Sequence, residues 1–165
     1  MTGDKESVQI MFDEIAERTG IPRVDLSEED SAALPFGEDG MLLHVQYRRE
    51  IPAVVFTAPL GGVPQGKKTF VFERLLEANV YWLGARGATL GYHADLEQVV
   101  LQFQEGASHL TSERLQNVLE GFVSVAIEWK STLAKIEEEA DEDAFPSAAG
   151  PDAAPGLGAE MYMQA

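Results

Sequence analysis

Residues 70–84 read FVFERLLEANVYWLG, and the rest of the chain is organised around them. Their apolar residues recur at spacings of three and four, which predicts one stripe of a helix about four turns long. The stripe consists of Phe72, Leu75, Leu76, Asn79, Val80 and Leu83, and a second set off the stripe consists of Phe70, Arg74, Tyr81 and Trp82. A helix that is apolar on more than one side needs more than one neighbour. We therefore expect this helix to contact its own sheet and a further partner.

Length and charge limit the classes of function. The chain has 165 residues, of which 45% are hydrophobic, and this fits one domain with a core. Its 12 Lys and Arg against 28 Asp and Glu give a formal charge of -16. Such a surface repels phosphate backbones and anionic headgroups, so we expect no nucleic acid and no membrane as partner. The chain has no cysteine and nothing that resembles a signal peptide or a membrane span, which favours a cytoplasmic location.

Half of the net charge lies at the C-terminal end, because residues 137–165 contain eight acidic residues and no basic one. Prolines, alanines and glycines fill much of the remainder, and this composition buries too little apolar surface to offset the entropy of ordering. We predict a globular domain over residues 1–136 and a disordered acidic tail over residues 137–165. Met161, Tyr162 and Met163 give the tail an apolar end that could cover an exposed groove, although an unattached tail is the simpler interpretation.

Hydrophobic periodicity in the first half of the chain predicts one helix and three strands. Residues 7–19 have the apolar spacing of an amphipathic helix that stops at Gly20. Residues 34–58 are typical of a three-stranded antiparallel meander, in which residues 41–47 alternate apolar and polar side chains as a half-buried strand does. Residues 59–68 are rich in Gly and Pro and predict a loop that leads into the central helix.

The second half of the chain predicts two more strands and a long helix. Alternating apolar residues indicate strands over residues 89–94 and 98–104. Thr111 is a suitable N-cap for the last helix. One apolar stripe of that helix, about seven turns long, consists of Leu115, Val118, Leu119, Phe122, Ala126, Trp129, Leu133 and Ile136. The order α-β-β-β-α-β-β-α predicts an α+β fold with an antiparallel sheet.

Residues with catalytic or metal-binding chemistry are scattered. His44, His93 and His109 show no paired spacing, and we expect them at the surface. No phosphate loop and no nucleophile elbow is present in the sequence. Asn79 is the one polar residue on the apolar stripe of the central helix, and we expect it to bind neighbouring backbone, because an unpaired buried amide is costly. These patterns give little support to a catalytic site, and we expect no metal and no cofactor.

Three features of the sequence together resemble a known family. They are LLEAN at 75–79, GATLGYHADLEQVVLQFQ at 87–104 and the long last helix with Trp129. The combination resembles the class I type III secretion chaperones, the Tir-chaperone (CesT) family, over residues 8–136. The long acidic tail and the Gly-rich stretch at 61–68 depart from the family, but neither touches its core pattern.

The resemblance implies a cytoplasmic homodimer that catalyses no reaction. It implies that the protein holds the N-terminal chaperone-binding segment of a secreted effector in extended form, and it admits the secretion ATPase as a further partner. The implied effector-binding residues lie on the first helix and the sheet and are Val8, Met11, Phe12, Ile15, Leu34, Phe36, Leu43, Val45, Val54 and Phe56. The implied dimer-interface residues lie on the central helix and are Val80, Tyr81, Trp82 and Leu83. For each effector-binding residue, ordinary core packing is the competing interpretation.

Two other functions are left open by the sequence. The first is a YbjN-like regulatory or stress protein, which resembles the same architecture but has no secreted client. Gene neighbourhood would separate it from a chaperone, since a chaperone gene normally lies beside its effector or the secretion apparatus. The second is an enzyme whose site the sequence hides, and this would need a pocket with convergent groups of perturbed pKa.

Overall fold

The computed structural model describes residues 4–37 and 40–144, apart from the side chains of residues 139–144. The elements follow the predicted order, with a short 3₁₀ turn added after the second helix. Their bounds are α1 Lys5–Thr19, β1 Ser31–Phe36, β2 Met41–Arg48, β3 Ala53–Gly62, α2 Lys68–Asn79, the 3₁₀ turn Val80–Trp82, β4 Thr89–His93, β5 Gln98–Gly106 and α3 Ser112–Ala144. In this described part, no helix is both long and apolar enough to cross a membrane.

The five strands form one antiparallel sheet in the order β1-β2-β3-β5-β4, so that β1 and β4 are its edges. Short turns join the first three strands, which gives the predicted meander. Val45, Phe56 and Phe103 lie directly opposite one another on β2, β3 and β5. The register therefore aligns large apolar side chains across the middle of the sheet.

One face of the sheet carries the core, and β2 shows this most clearly. Leu43, Val45 and Tyr47 are buried, whereas the residues between them are exposed, as the alternation in the sequence predicted. α3 packs on β3 from the buried side, where the rings of Phe56 and Phe122 have centroids 5.8 Å apart. The sheet and the last helix are thus two layers around one core.

Local signals set both ends of α1. The Asp4 carboxylate accepts a hydrogen bond from the Ser7 N–H at 2.9 Å, so α1 begins at Lys5, two residues earlier than predicted. α1 ends at Gly20, which has a φ of 75° and donates its N–H to the Ala16 carbonyl oxygen. Glycine adopts this left-handed conformation without steric cost. The buried residues of α1 are Val8, Phe12 and Ile15.

α3 begins where the sequence predicted. The Thr111 hydroxyl oxygen accepts a hydrogen bond from the Arg114 N–H at 3.2 Å. The buried side chains of α3 are Leu115, Leu119, Phe122, Val125, Ala126, Leu133 and Ile136. The helix continues to Ala144 and so includes residues 137–144, which the sequence assigned to the tail. The rest of the predicted tail, residues 145–165 with the apolar end at 161–163, lies outside the described residues.

The predicted loop over residues 59–68 is wrong in its first part, because β3 continues to Gly62. The register of β3 against β5 shifts between Pro59 and Gly61. Such a bulge is one of the few places where a strand tolerates proline, which has no N–H to donate. Gly61 has a φ of 130°, and Leu60 is buried. Residues with the composition of a loop are therefore part of the central strand.

The central helix is shorter than predicted, because α2 ends at Asn79 rather than at Gly84. Leu76, which the spacing placed on the buried stripe, is 69% exposed. Only the first part of the predicted stripe continues in a helical register, since the chain turns sharply after Asn79. The buried residues of α2 are Val71, Leu75 and Ala78.

Candidate partner-binding surfaces

Exposed apolar side chains are concentrated around the end of α2. In the described part of the chain, eleven large hydrophobic residues are exposed, and six of them lie between positions 70 and 83. These six, which we name the α2 patch, are Phe70, Leu76, Val80, Tyr81, Trp82 and Leu83. Tyr81 and Leu83 are the most exposed, at 81% and 78%. A cluster of exposed apolar residues indicates an interaction surface, whereas a single one does not.

The outer part of the α2 patch is a tight loop. Tyr81 and Trp82 have φ values of 54° and 55°, a left-handed conformation that costs roughly 1–3 kcal/mol for each residue other than glycine. Two hydrogen bonds hold the loop, from the Leu83 N–H to the Val80 carbonyl oxygen at 3.3 Å and from the Gly87 N–H to the Trp82 carbonyl oxygen at 3.1 Å. The fold therefore holds two aromatic residues at the surface in a strained backbone conformation.

Gly84 fixes this loop against α2. Its N–H donates to the Ala78 carbonyl oxygen at 3.1 Å, and a Cβ added at Gly84 would lie 2.7 Å from the Ala78 Cβ. The indole N–H of Trp129 donates to the Gly84 carbonyl oxygen at 3.0 Å. Because only glycine fits so close to the helix, the approach to α2 and the bond to α3 both depend on the residue at this position.

Asn79 joins the end of α2 to the edge strand β4. Its side-chain N–H donates to the Leu90 carbonyl oxygen at 2.8 Å, and its side-chain oxygen accepts from the Leu90 N–H at 2.9 Å. The expectation that Asn79 binds backbone is confirmed. Because the side chain satisfies both backbone groups of Leu90, it also covers part of an otherwise unpaired sheet edge.

The structure places all four residues predicted for the dimer interface in the α2 patch. Val80 and Trp82 are about half exposed, at 54% and 56%, and Tyr81 and Leu83 are more so. Their apolar surface is in contact with solvent in a single chain. The assignment of these residues to a dimer interface stays a prediction.

Most of the residues predicted to bind an effector are buried. Eight of the ten have at most 5% exposure, and these are Val8, Phe12, Ile15, Leu34, Leu43, Val45, Val54 and Phe56. Met11 and Phe36 are partly buried and pack against the edge of the core. A partner can contact Met11 and Phe36 in this conformation. The other eight residues lie beneath the surface and support the residues that a partner would contact. The assignment of an effector site to these residues stays a prediction.

Phe36 lies in a groove between the β1–β2 turn and α3. The groove has a volume of about 550 Å³, and its lining includes Phe36, Met41, Ile127, Lys130 and Ala134. Ile127 is 47% exposed. Grooves of this kind accept apolar side chains of an extended segment. The sequence did not indicate the contribution of α3, because Ile127 lies off the buried stripe of that helix.

Charged groups connect α1 to the ends of β1 and β2. The Asp30 carboxylate accepts a hydrogen bond from Arg49 Nη2 at 2.8 Å and pairs with Lys5 Nζ at 3.1 Å. These two donors, Arg49 first and Lys5 second, lower the pKa of Asp30 to about 2. On another side of α1, the hydrogen bond from Arg23 lowers the pKa of Asp13. Ion pairs therefore help to position α1, the helix that carries four of the ten predicted effector-binding residues.

The histidines are placed as the sequence predicted. His44, His93 and His109 are all exposed. Among residues 4–37 and 40–138, no group of three or more His, Cys, Asp or Glu side chains could hold a metal ion, and no polar or charged side chain is buried. Within the described residues, the three histidines therefore take part in no metal-binding cluster.

Solved structures share this fold. The chain of the ExsC-ExsE complex is matched at 24% identity and a TM-score of 0.67, over 81% of this chain and 97% of that chain. A chain of the heterodimeric ExoU-SpcU complex from the type III secretion system of Pseudomonas aeruginosa is matched at 20% identity and a TM-score of 0.57. This match covers 80% of this chain and 98% of that chain. A chain of the HopA1-SchA chaperone-effector complex is matched at 10% identity and a TM-score of 0.58. This match covers 80% of this chain and 98% of that chain. At these identities the likeness shows the fold.

Comparison of the sequence with a family model shows the family membership that the fold alone does not show. No curated protein sequence matches the chain. The model of the Tir chaperone protein (CesT) family matches residues 11–130, which include most of α1, the whole sheet, the α2 patch and more than half of α3. The match covers most of the chain, and the chain therefore belongs to the Tir chaperone protein (CesT) family.

Proposed function

We propose that this protein is a type III secretion chaperone that binds the N-terminal chaperone-binding segment of a cognate effector in extended form. By covering the apolar side chains of that segment, it keeps the effector soluble and competent for secretion. The observation that carries this proposal is the family match over residues 11–130. The fold, which is shared with a chain of the HopA1-SchA chaperone-effector complex, supports it.

The protein acts as a homodimer in this proposal, and the α2 patch is the interface. Two copies related by a twofold axis would place Val80, Tyr81, Trp82 and Leu83 of each against the same residues of the other. The exposure of this loop supports the assignment, because it leaves four consecutive apolar side chains in contact with solvent. Aromatic side chains such as those of Tyr81 and Trp82 are the usual energetic anchors of an interface.

The effector segment lies, in this proposal, over the region of α1 and the sheet that carries the ten predicted residues. Met11 and Phe36 supply accessible contacts, and the groove beside Phe36 extends the surface to Ile127 on α3. β1 is an edge strand, so an extended segment has backbone groups to pair with there. Pro35 lies on this edge strand, where proline is tolerated.

Co-expression tests the proposal. The chain is produced with the N-terminal segment of a candidate effector, chosen from the genes beside its own, and the soluble segment that co-purifies is measured. We expect Phe36→Asp to reduce the amount recovered, because it places a charge in the groove. Leu96→Asp is the matched control, since Leu96 is 62% exposed in the β4–β5 turn and lines no proposed site.

Circular dichroism of each variant establishes that it is folded. A wild-type chain that purifies alone and leaves the segment insoluble would contradict the chaperone function. That result would favour a regulatory or stress protein of the same architecture.

A further inference from the structure

A cavity between α3 and the loop before β4 lies outside the surfaces assigned above. It has a volume of about 200 Å³. Phe103 and Phe122 are among its apolar lining residues, and Ala85 and Ala88 line it on the side of the loop. An apolar cavity of about 150 Å³ accommodates a benzene ring. The space therefore fits one leucine or phenylalanine side chain.

Gly121 is an exposed residue at the edge of this cavity. It lies within α3 and lines the cavity, and an added Cβ would meet no atom within 4 Å. Its φ is not in the left-handed region, so neither backbone conformation nor packing requires glycine there. Glycine is the poorest helix former after proline. The residue weakens the helix and contributes no side chain to the lining of the cavity.

Two arginines with hydrogen-bond donors, Arg86 and Arg114, line the cavity. Arg86 Nη2 donates to the two carboxylate oxygens of Glu128 at 2.9 and 3.0 Å. Arg114 donates from Nε and Nη2 to Glu105 at 3.1 and 3.2 Å. A guanidinium has about five N–H donors, so each retains roughly three that these pairs do not use. Asn117 adds an exposed amide to the rim.

The two ion pairs lie at separate positions along α3, and the length of helix between them fits an extended peptide. Arg114 and Glu128, the partner of Arg86, are fourteen residues apart on α3, which corresponds to about 21 Å. An extended peptide of about six residues spans that distance and presents carbonyl oxygens along its whole length. A residue near its middle would lie above the cavity.

We propose that this cavity binds one bulky apolar side chain of an extended peptide, whose flanking carbonyl oxygens accept hydrogen bonds from Arg86, Arg114 and Asn117. The inference rests on the proposed function, in which the peptide is part of the effector segment. It places an anchor site on α3, away from the residues on α1 and the sheet.

Backbone-amide NMR of the full chain tests the cavity without an effector. The probe is the capped peptide acetyl-Ser-Ser-Leu-Ser-Ser-amide, and the control peptide has serine in place of leucine. We expect the leucine peptide to shift the amides of Ala88 and Gly121 and to bind at least tenfold more tightly than the control, because burial of the leucine side chain supplies most of the affinity. Equal binding of the two peptides, or no shift at these amides, would overturn the proposal.

Gly121→Leu places a large apolar side chain at a lining position of the cavity, and leucine favours helix, so the variant is expected to fold. We expect it to lose at least tenfold in affinity for the leucine peptide, whereas Gly121→Ala, the matched control, stays within threefold of wild type. Unchanged binding by Gly121→Leu would overturn the proposal. So would co-purification of the same amount of effector segment with Gly121→Leu and with wild type, and that result would leave the chaperone function intact. A wild-type chain that binds the leucine peptide but no effector segment would support the cavity and contradict the function.

Discussion

The close approach of Gly84 to α2 makes the substitution Gly84→Ala informative. The new Cβ would lie 2.7 Å from the Ala78 Cβ and 2.8 Å from the Ala78 Cα. These atoms belong to a helix and cannot rotate away, so the loop must shift and strain the hydrogen bond that its carbonyl oxygen accepts from Trp129. Overpacking of this kind costs about 1–3 kcal/mol, and loss of one hydrogen bond adds about 1 kcal/mol. We expect Gly84→Ala to lower the free energy of unfolding by about 2–4 kcal/mol.

Urea unfolding followed by far-UV circular dichroism measures this change, with the protein concentration held fixed because a dimer links stability to concentration. Gly121→Ala is the control. Its Cβ meets no atom within 4 Å, and alanine favours helix, so we expect a gain of about 0.5–1 kcal/mol. If Gly84→Ala were as stable as wild type, the loop would not be pressed against α2, and the explanation for its conformation would be refuted.

Three further substitutions test other parts of the structure. Trp82→Glu should give monomers in sedimentation velocity, whereas the control Leu96→Glu should not. If Trp82→Glu remained dimeric, the interface would have to lie elsewhere on the chain. Asn79→Ala removes both hydrogen bonds to Leu90 and should cost about 2–3 kcal/mol in urea unfolding, and an unchanged midpoint would show that other contacts hold the edge strand. Asp30→Asn should lower the thermal midpoint at neutral pH. The folded pKa of Asp30, about 2, lies below its unfolded value, so its stabilising pairs are present above about pH 4 and are lost as the pH falls towards 2. A difference between Asp30→Asn and wild type that stays constant from pH 5 to pH 2 would contradict the ion-pair assignment.

Elements whose burial follows a local period were predicted well from the sequence. β2 alternates one buried and one exposed residue along its whole length. The alternation of apolar and polar residues in the sequence is therefore enough to predict which face of the strand is buried. The buried stripe of α3 from Leu115 to Ile136 likewise follows from the helical repeat. The role of Asn79 was predictable as well, because a polar side chain on an apolar stripe has to find partners.

The end of α2 could not be predicted from local sequence. Residues 80–83 contain no glycine, proline or other turn residue, although Tyr81 and Trp82 have positive φ. The turn is fixed by the contact of Gly84 with Ala78 and by the bond from Trp129, which is 45 residues further along the chain. Tertiary contacts override helix propensity here.

The C-terminal end of β3 could not be predicted from local sequence either. Pro59 and Gly61 disfavour a strand, but the bulge between them removes the need for a proline N–H and uses the conformational freedom of glycine. Pairing with β5 therefore extends the strand through residues with the composition of a loop.

The candidate surfaces were predictable only in part. The surplus of apolar residues at 80–83 was visible in the sequence, and the structure exposes all four. The groove beside Ile127 and the cavity beside Gly121 were not visible, because both residues lie off the buried stripe of α3 and become significant only when other segments approach them. Residues such as Phe12 and Phe56 have the same apolar signature whether they form the core or line a site, and here they are buried in the core.

Native mass spectrometry of the co-expressed complex tests the central claim most directly. The chain and the N-terminal segment of the candidate effector are purified together, and the mass of the intact assembly is measured. The proposal predicts one species that contains two copies of this chain and one effector segment. A single copy of this chain that carries no segment would contradict both the dimer and the chaperone function.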